Sequence, residues 1–195
     1  ADLFQGALPE SEVKRFIDTG ILPLEHEFLA EVDTGDRWAF TPRQTGILEG
    51  LKAQARERGL WNFFLTEHDG GHGLTTVEYA YIAEETGKSH LAPEVFNCSA
   101  PDTGNMEVLV KYGSPEQKKQ WLEPLLEGTI RSVFFMTEPD VASSDATNMQ
   151  ATCTIEGDEV VLNGRKWWSS GVGHPQCKIG IFMGVTDPTA SRHAQ

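Results

Sequence analysis

Phe134 to Gly171 opens Phe-Phe-Met-Thr-Glu-Pro-Asp-Val-Ala-Ser-Ser-Asp-Ala and closes Asn-Gly-Arg-Lys-Trp-Trp-Ser-Ser-Gly. Its first half is a short apolar run that breaks into a loop dense in small hydroxyl side chains. Its second half ends in paired tryptophans followed by paired serines. Aromatic faces beside hydroxyl donors suit a flat ligand with a heteroatom-lined edge, a flavin being one such shape: rings stack on it and hydroxyls meet its polar edge. On composition alone the same stretch also reads as a β-domain with loop-capping serines and core tryptophans.

Working outward, the chain changes character at this stretch. Upstream, hydrophobic residues recur at helical spacing. Residues 10–33 carry Val13, Phe16, Ile17, Leu24, Phe28 and Leu29 near that period, with Pro23 a break or kink. Thr41-Pro42 opens a second helix whose buried stripe is Ile47, Leu48, Leu51 and Ala55, ended by Gly59. Thr75 or Thr76 caps a third helix running to about Gly87, with Val77, Ala80 and Tyr81 expected on its buried side. Asp102 or Thr103 is expected to cap a helix bearing Met106, Leu109 and Val110. Ser114-Pro115-Glu116-Gln117 starts another, followed by Trp121, Leu122, Leu125 and Leu126 and stopped by Gly128.

Downstream, the period becomes that of strands. Ser132–Met136, Thr152–Ile155, Val160–Leu162 and Cys177–Val185 read as strands, with a turn at Gly157-Asp158. Asn163-Gly164 is a strong hairpin signal, so Arg165–Trp168 is expected to pair back. The predicted class is α+β: an all-α N-terminal helical bundle over residues 1–130, then an incomplete antiparallel β-barrel-like domain over 131–195. So few strands leave sheet edges open, which suggests a fragment of something longer.

Composition excludes several functions. The 195 residues are 39% hydrophobic and 23% charged, with a formal charge of −13. That balance opposes nucleic-acid binding, which needs clustered Lys and Arg. No apolar run approaches the ~20 residues of a membrane helix. The start, Ala1-Asp-Leu-Phe-Gln-Gly6, lacks the basic and apolar regions of a secretory signal. Cys98, Cys153 and Cys177 form no CxxC pair, so each is expected to be a small buried hydrophobe in a reducing compartment. His68, Asp69 and His72 are possible ligands, but Gly70, Gly71 and Gly73 make their segment a loop rather than a one-faced helical metal site. A glycine lead-in to the third helix is the better reading.

Four motifs in order resemble the acyl-CoA dehydrogenase family: Glu67-His-Asp-Gly-Gly-His-Gly-Leu74, Tyr112-Gly-Ser-Pro-Glu-Gln-Lys-Lys-Gln-Trp-Leu-Glu-Pro-Leu-Leu-Glu-Gly128, Met136-Thr-Glu-Pro139 through Ser143-Ser-Asp145, and Asn163-Gly-x-Lys166 with Trp168-Ser-Ser170. The wording around Asp140–Asp145 and Trp167–Gly171 resembles the branch of family members ten and eleven. The resemblance implies an FAD-dependent enzyme that desaturates an acyl-CoA thioester at the α,β-carbons, passing hydride to flavin N5 and electrons to an electron-transfer flavoprotein. It implies a homodimer or homotetramer engaged in fatty acid β-oxidation, cytoplasmic in a bacterium, mitochondrial or peroxisomal in a eukaryote.

Carried over by position, the resemblance puts Phe134, Met136 and Thr137 against the flavin, Trp168 beside its ring, and Ser169 and Ser170 at its polar edge near N5. Ser144 would meet the flavin pyrophosphate or the CoA ester, with Ser143 beside it among the cofactor-binding residues. Asp140-Val141-Ala142 and Ser143 stand where the family has a tighter glycine loop. Glu138 matches a structural acid. The family's base is a glutamate of a C-terminal helical domain, so no residue here is assigned as catalytic. An acyl-CoA oxidase or flavin monooxygenase relative of the same fold, or a non-catalytic helical interaction module, are the alternatives.

Overall fold

The computed structural model describes residues 10–36, 38–191 and 193; the expectation about a secretory signal lies outside them. The chain divides into two units that part between Thr129 and Ile130. Among the described residues the first holds eight α-helical segments. They are α1 (Glu10–Phe16), α2 (Leu22–Ala30), α3 (Pro42–Glu57), α4 (Thr76–Thr86), α5 (Ala92–Val95), α6 (Asp102–Tyr112), α7 (Pro115–Gln117) and α8 (Glu123–Leu126).

Local chemistry sets three of the helix starts. Thr41, Ser114 and Thr75 each accept a hydrogen bond from the amide three residues on. The side-chain oxygens of Gln44, Gln117 and Glu78 accept one in turn from the capping residue's own amide. Each capping box satisfies two main-chain donors that the first turn would otherwise leave open. Helix α6 differs from expectation, because the residue ahead of it is Pro101 and no side chain caps it. Asp102 lies inside the first turn and is buried.

Pro23 does not break its helix. The amide of Leu22 reaches back five residues to Ile17, making a π-helical turn over Ile17–Ile21 before α2 resumes. Pro124 repeats the device, with the Glu123 amide bonded to Lys118 across a π turn at Lys118–Leu122. A proline ring clashes with the carbonyl four residues back and offers no N–H. One wide turn accommodates both defects.

Val13, Phe16, Ile17, Ile21, Leu51, Ala55, Phe63, Ile82, Val95 and Phe96 form the core of this unit. Phe96 sits between Phe16 and Phe63, with ring centroids 5.9 and 5.6 Å away. The buried side of α4 is Ile82, Glu85 and Thr86, with Tyr79 packed against the core. The expected side, Val77, Ala80 and Tyr81, faces solvent, Val77 being 61% exposed. Leu29 is likewise exposed.

The glycine-rich segment does lead into α4. Glu67–Asp69 makes one short turn, and the His72 Nε2 lies 2.8 Å from the Trp61 carbonyl oxygen. All three cysteines are half-buried rather than buried. Burial pushes the Cys98 thiol up to about 11 even though the Phe63 and Phe64 amides and the Tyr79 hydroxyl bond to it.

One polar cluster was invisible in the sequence. Helix α8 and the residues after it end in four carbonyls, each met by a side chain from elsewhere in the unit. Asn97 donates to Leu125 O and Leu126 O, at 2.9 and 3.2 Å. Leu126 O also accepts from Trp61 and Asn62. Arg56 donates to Glu127 O at 2.8 Å. Lys52, only 1% exposed, donates to Gly128 O at 3.3 Å. Two cations on α3 thus face the negative end of a helix.

The second unit contains β1 (Arg131–Phe135), β2 (Thr152–Glu156), β3 (Glu159–Asn163) and β4 (Cys177–Phe182). β2 and β3 form an antiparallel hairpin in which Thr152 faces Asn163 and Glu156 faces Glu159 across the predicted Gly157-Asp158 turn. β1 instead pairs with β4, in parallel, from Ser132↔Ile179 to Phe135↔Phe182. The described strands therefore make two two-stranded sheets and close no barrel. They do not form a continuous meander.

Arg165–Trp168 does not pair back as a strand. Gly164 has φ 154°, and a Cβ there would lie 2.5 Å from the Ala151 Cβ. This glycine permits close main-chain approach rather than a hairpin turn. The hairpin turn uses Gly157, with φ 64°.

Candidate functional site

β1 delivers its last residues directly into the first half of the opening stretch. Phe134 pairs with Ile181 and is half-buried, as are Met136 and Thr137. Just beyond them the chain is tied to the second half. The Trp167 amide donates to the Thr137 carbonyl at 3.0 Å. Lys166 Nζ donates to the Met136 carbonyl at 3.0 Å and to Glu138 Oε1 at 2.8 Å. Segments thirty residues apart in sequence thus meet through three bonds on consecutive residues.

The Glu138–Lys166 pair is the centre of this junction, with both side chains 5% exposed. Glu138 also accepts from the Gln150 and Ala151 amides, at 2.8 and 2.9 Å. Lys166 lies 5.0 Å above the Phe182 ring of β4. Burial would raise the Glu138 pKa. The bond from Lys166, the two amides and the lysine charge together outweigh it and hold the carboxyl below its ordinary range. A carboxylate held ionised by three hydrogen bonds is a weak proton acceptor, in keeping with its reading as structural.

A second ion pair, Arg165 with Asp140 at 3.2 Å, spans the same two segments in full solvent. Asp140 belongs to the loop that follows Glu138. Ser143 closes that loop: its buried hydroxyl accepts from the Glu138 amide at 2.7 Å and lies 3.3 Å from the Val141 carbonyl. Ser144, next in sequence, is exposed. Asp145 then caps a short turn at Ala146–Asn148.

Trp168 is 77% exposed and holds φ 56°, a conformation that costs a bulky residue on the order of 1–3 kcal/mol. Trp167 packs edge-on against it with centroids 5.2 Å apart. Ser169 donates to the Trp167 carbonyl at 3.4 Å, and Ser170, itself exposed, begins a single turn ending at Gly173. Among the described residues, no partner engages the hydroxyls of Thr137, Ser144 or Ser170. A large open aromatic face with uncommitted hydroxyls is a donor set that fits a flavin's ring and edge.

Two cavities of this unit are separate from that face. One of about 460 Å³ is lined by Met149, Cys153, Phe182 and Met183 among others. The second, of about 250 Å³, is polar and lined by Glu138, Asp140, Asn163 and Arg165 among others. Neither is lined by Thr137, Trp168 or Ser170. The flavin-type residues form an open surface.

In the sequence Lys166 is only one member of the Asn163-Gly-x-Lys166 motif, with no role implied for it. Its burial follows from a partner twenty-eight positions away, which neither period nor propensity can register. The available signal was chemical: an acid in the Met136-Thr-Glu-Pro139 motif and a base in the Asn163-Gly-Arg-Lys166 motif.

Profiles of known families cover nearly all of the chain. That of the acyl-CoA dehydrogenase N-terminal domain matches residues 10–129, and that of the middle domain residues 133–195. The chain belongs to the acyl-CoA dehydrogenase family. Acyl-CoA dehydrogenase family member 11 of Gallus gallus is 54% identical over 189 residues, covering 94% of this chain and 23% of the relative. This agrees with the branch to which the Asp140–Asp145 and Trp167–Gly171 wording points.

A solved Mycobacterium abscessus structure assigned to the acyl-CoA dehydrogenases superposes with TM-score 0.88 at 56% identity, covering 98% of this chain and 49% of that one. A glutaryl-CoA dehydrogenase from Mycobacterium smegmatis, solved in complex with FADH2, has TM-score 0.57 and 27% identity over 82% of this chain and 37% of its own. The chain therefore spans about a quarter of the curated acyl-CoA dehydrogenase it matches.

Proposed function

We propose that this chain supplies the flavin-facing part of an FAD-dependent acyl-CoA dehydrogenase that desaturates an acyl-CoA thioester between its α- and β-carbons. The observation that carries the reading is the junction of Met136-Thr137-Glu138 with Lys166-Trp167-Trp168, which gathers an exposed indole and uncommitted hydroxyls into one unit. FAD, when bound, accepts the β-hydride. The glutaryl-CoA dehydrogenase solved with FADH2 supports that choice of cofactor.

The protein's part is orientation and preorganised donors. Trp168 stacks beside the ring, with Phe134 and Met136 packing near it. Thr137 and Ser170 would offer hydroxyls to the ring's polar edge, which carries the added negative charge of a reduced flavin. A donor aimed at developing charge is worth on the order of 10²–10³ in rate. Ser144 and Ser169 complete the polar side, and Ser144 also faces the pyrophosphate or the CoA ester. Ser143 contributes by holding the loop that presents Ser144, its own hydroxyl being committed.

The base that removes the α-proton is assigned to a glutamate outside these 195 residues. Electron-transfer flavoprotein is the proposed acceptor, a homodimer or homotetramer the proposed assembly, and fatty acid β-oxidation the proposed context. The compartment is the cytoplasm in a bacterium, and the mitochondrion or peroxisome in a eukaryote.

The test is spectroscopic. Full-length protein should purify with an oxidised-flavin spectrum, or take it up on adding FAD, and bleach anaerobically with a saturated acyl-CoA. Protein that stays colourless after reconstitution sinks the proposal. Rapid oxygen consumption during turnover would move the reaction to the oxidase class.

A further inference from the structure

The Glu138–Lys166 pair joins both halves of the site. Lys166 bonds to Met136 and Glu138, on either side of Thr137, and precedes the Trp167 amide that takes the Thr137 carbonyl. It also rests on the Phe182 ring. Glu138 adds the amides of Gln150 and Ala151. Four stretches of chain converge on two side chains that are both nearly out of water.

We infer that Glu138 and Lys166 are a charge-neutral positioning pair: they fix Thr137 relative to Trp168, and each cancels the other's field at the bound flavin. The inference rests on the proposed flavin site. Its physical basis is that an unbalanced charge in a poorly solvated site acts over a distance that water would screen. A matched pair in contact projects little field. Reduction adds negative charge to the ring, so a lone lysine would favour the reduced form and a lone glutamate would oppose it. Two main-chain amides still bond to Glu138 without Lys166 and favour its ionised form.

The exposed Asp140–Arg165 pair supplies an internal control. It bridges the same segments, yet its side chains are 70% and 73% exposed, so solvent and salt screen each charge.

The experiment measures the FAD midpoint potential and FAD affinity of the full-length protein. Lys166→Met should lower the potential and weaken FAD binding at least tenfold, whereas Glu138→Gln should raise the potential. Lys166→Arg, Arg165→Gln and the neutral double variant Glu138→Gln/Lys166→Gln should keep the wild-type potential. Shifts of the same sign in the two single variants, or no shift in either, overturn the inference. Should the single variants fail to fold, the double variant and Lys166→Arg decide it: a displaced potential in either overturns it, and wild-type values support it. Wild-type protein that takes up no FAD would instead remove the flavin reading itself, and the inference with it.

Discussion

Lys52→Met should open the end of the first unit without unfolding the rest. Methionine keeps most of the lysine stem's packing and removes only the ammonium. Three partners lose it: Gly128 O at 3.3 Å, Glu94 Oε1 at 3.6 Å and Glu49 Oε1 at 3.1 Å. The charge-assisted bond to a buried carbonyl is worth about 1.5 kcal/mol. Glu94, with 18% of its side chain exposed, adds about 1 kcal/mol, and half-exposed Glu49 no more than about 0.5. The total of about 3 kcal/mol corresponds to roughly a 150-fold larger opening equilibrium. Hydrogen exchange reads this locally, through the amides of Glu127, Gly128 and Thr129, which bond back to Glu123, Leu125 and Pro124. Their exchange should accelerate by about that factor, while Glu49→Gln should change it less than about threefold. If Lys52→Met accelerates these amides less than about twofold, the buried ammonium is not what secures the helix end and the reasoning fails.

Three further outcomes follow from the second unit. Gly180→Ala places a Cβ 2.3 Å from the Phe135 ring; the parallel pair should lose about 1–3 kcal/mol, read as a lower denaturant midpoint. Trp168→Gly removes little burial and relieves a left-handed φ, so stability should hold or rise by about 1 kcal/mol while FAD affinity falls. The Glu138 carboxyl is held below its ordinary range. Its stabilising contribution is therefore complete above the unfolded carboxylate pKa and is lost as pH falls through the lower folded value. Glu138→Gln should be less stable at neutral pH and lack that part of the acid limb in a pH titration of the unfolding midpoint.

What the sequence disclosed tracks how local each interaction is. The caps at Thr41, Thr75 and Ser114 are complete within four residues, and all three stand where the pattern puts them. The hairpin across Gly157-Asp158 is equally local. The parallel pairing of β1 with β4 was not legible, since an apolar run such as Cys177–Phe182 does not name its partner. Asn163-Gly164 misled because the glycine serves a close approach to Ala151, a demand that leaves the same residue as a turn would. On α4 two faces have similar composition, and tertiary packing chose Tyr79 and Ile82 over Val77 and Tyr81. Lys52 and Lys166 look like surface residues until their distant partners are known. Of the proposed flavin face, the residue types were readable in order, but not the buried ion pair that joins its two segments.

The parallel register of β1 and β4 has a further consequence. Such strands cannot be joined by a tight turn, so residues 136–176 must leave the sheet and return, and both signatures lie on this single excursion. Its two ends are stapled near the sheet by Lys166, while its middle, the β2–β3 hairpin, is bound mainly to itself and exposed along most of both strands. Length is therefore free to vary in the middle and fixed at the root. A tag inserted between Gly157 and Asp158 would ride on the hairpin tip and leave the staple untouched, making that turn a natural handle for labelling the protein beside its working face.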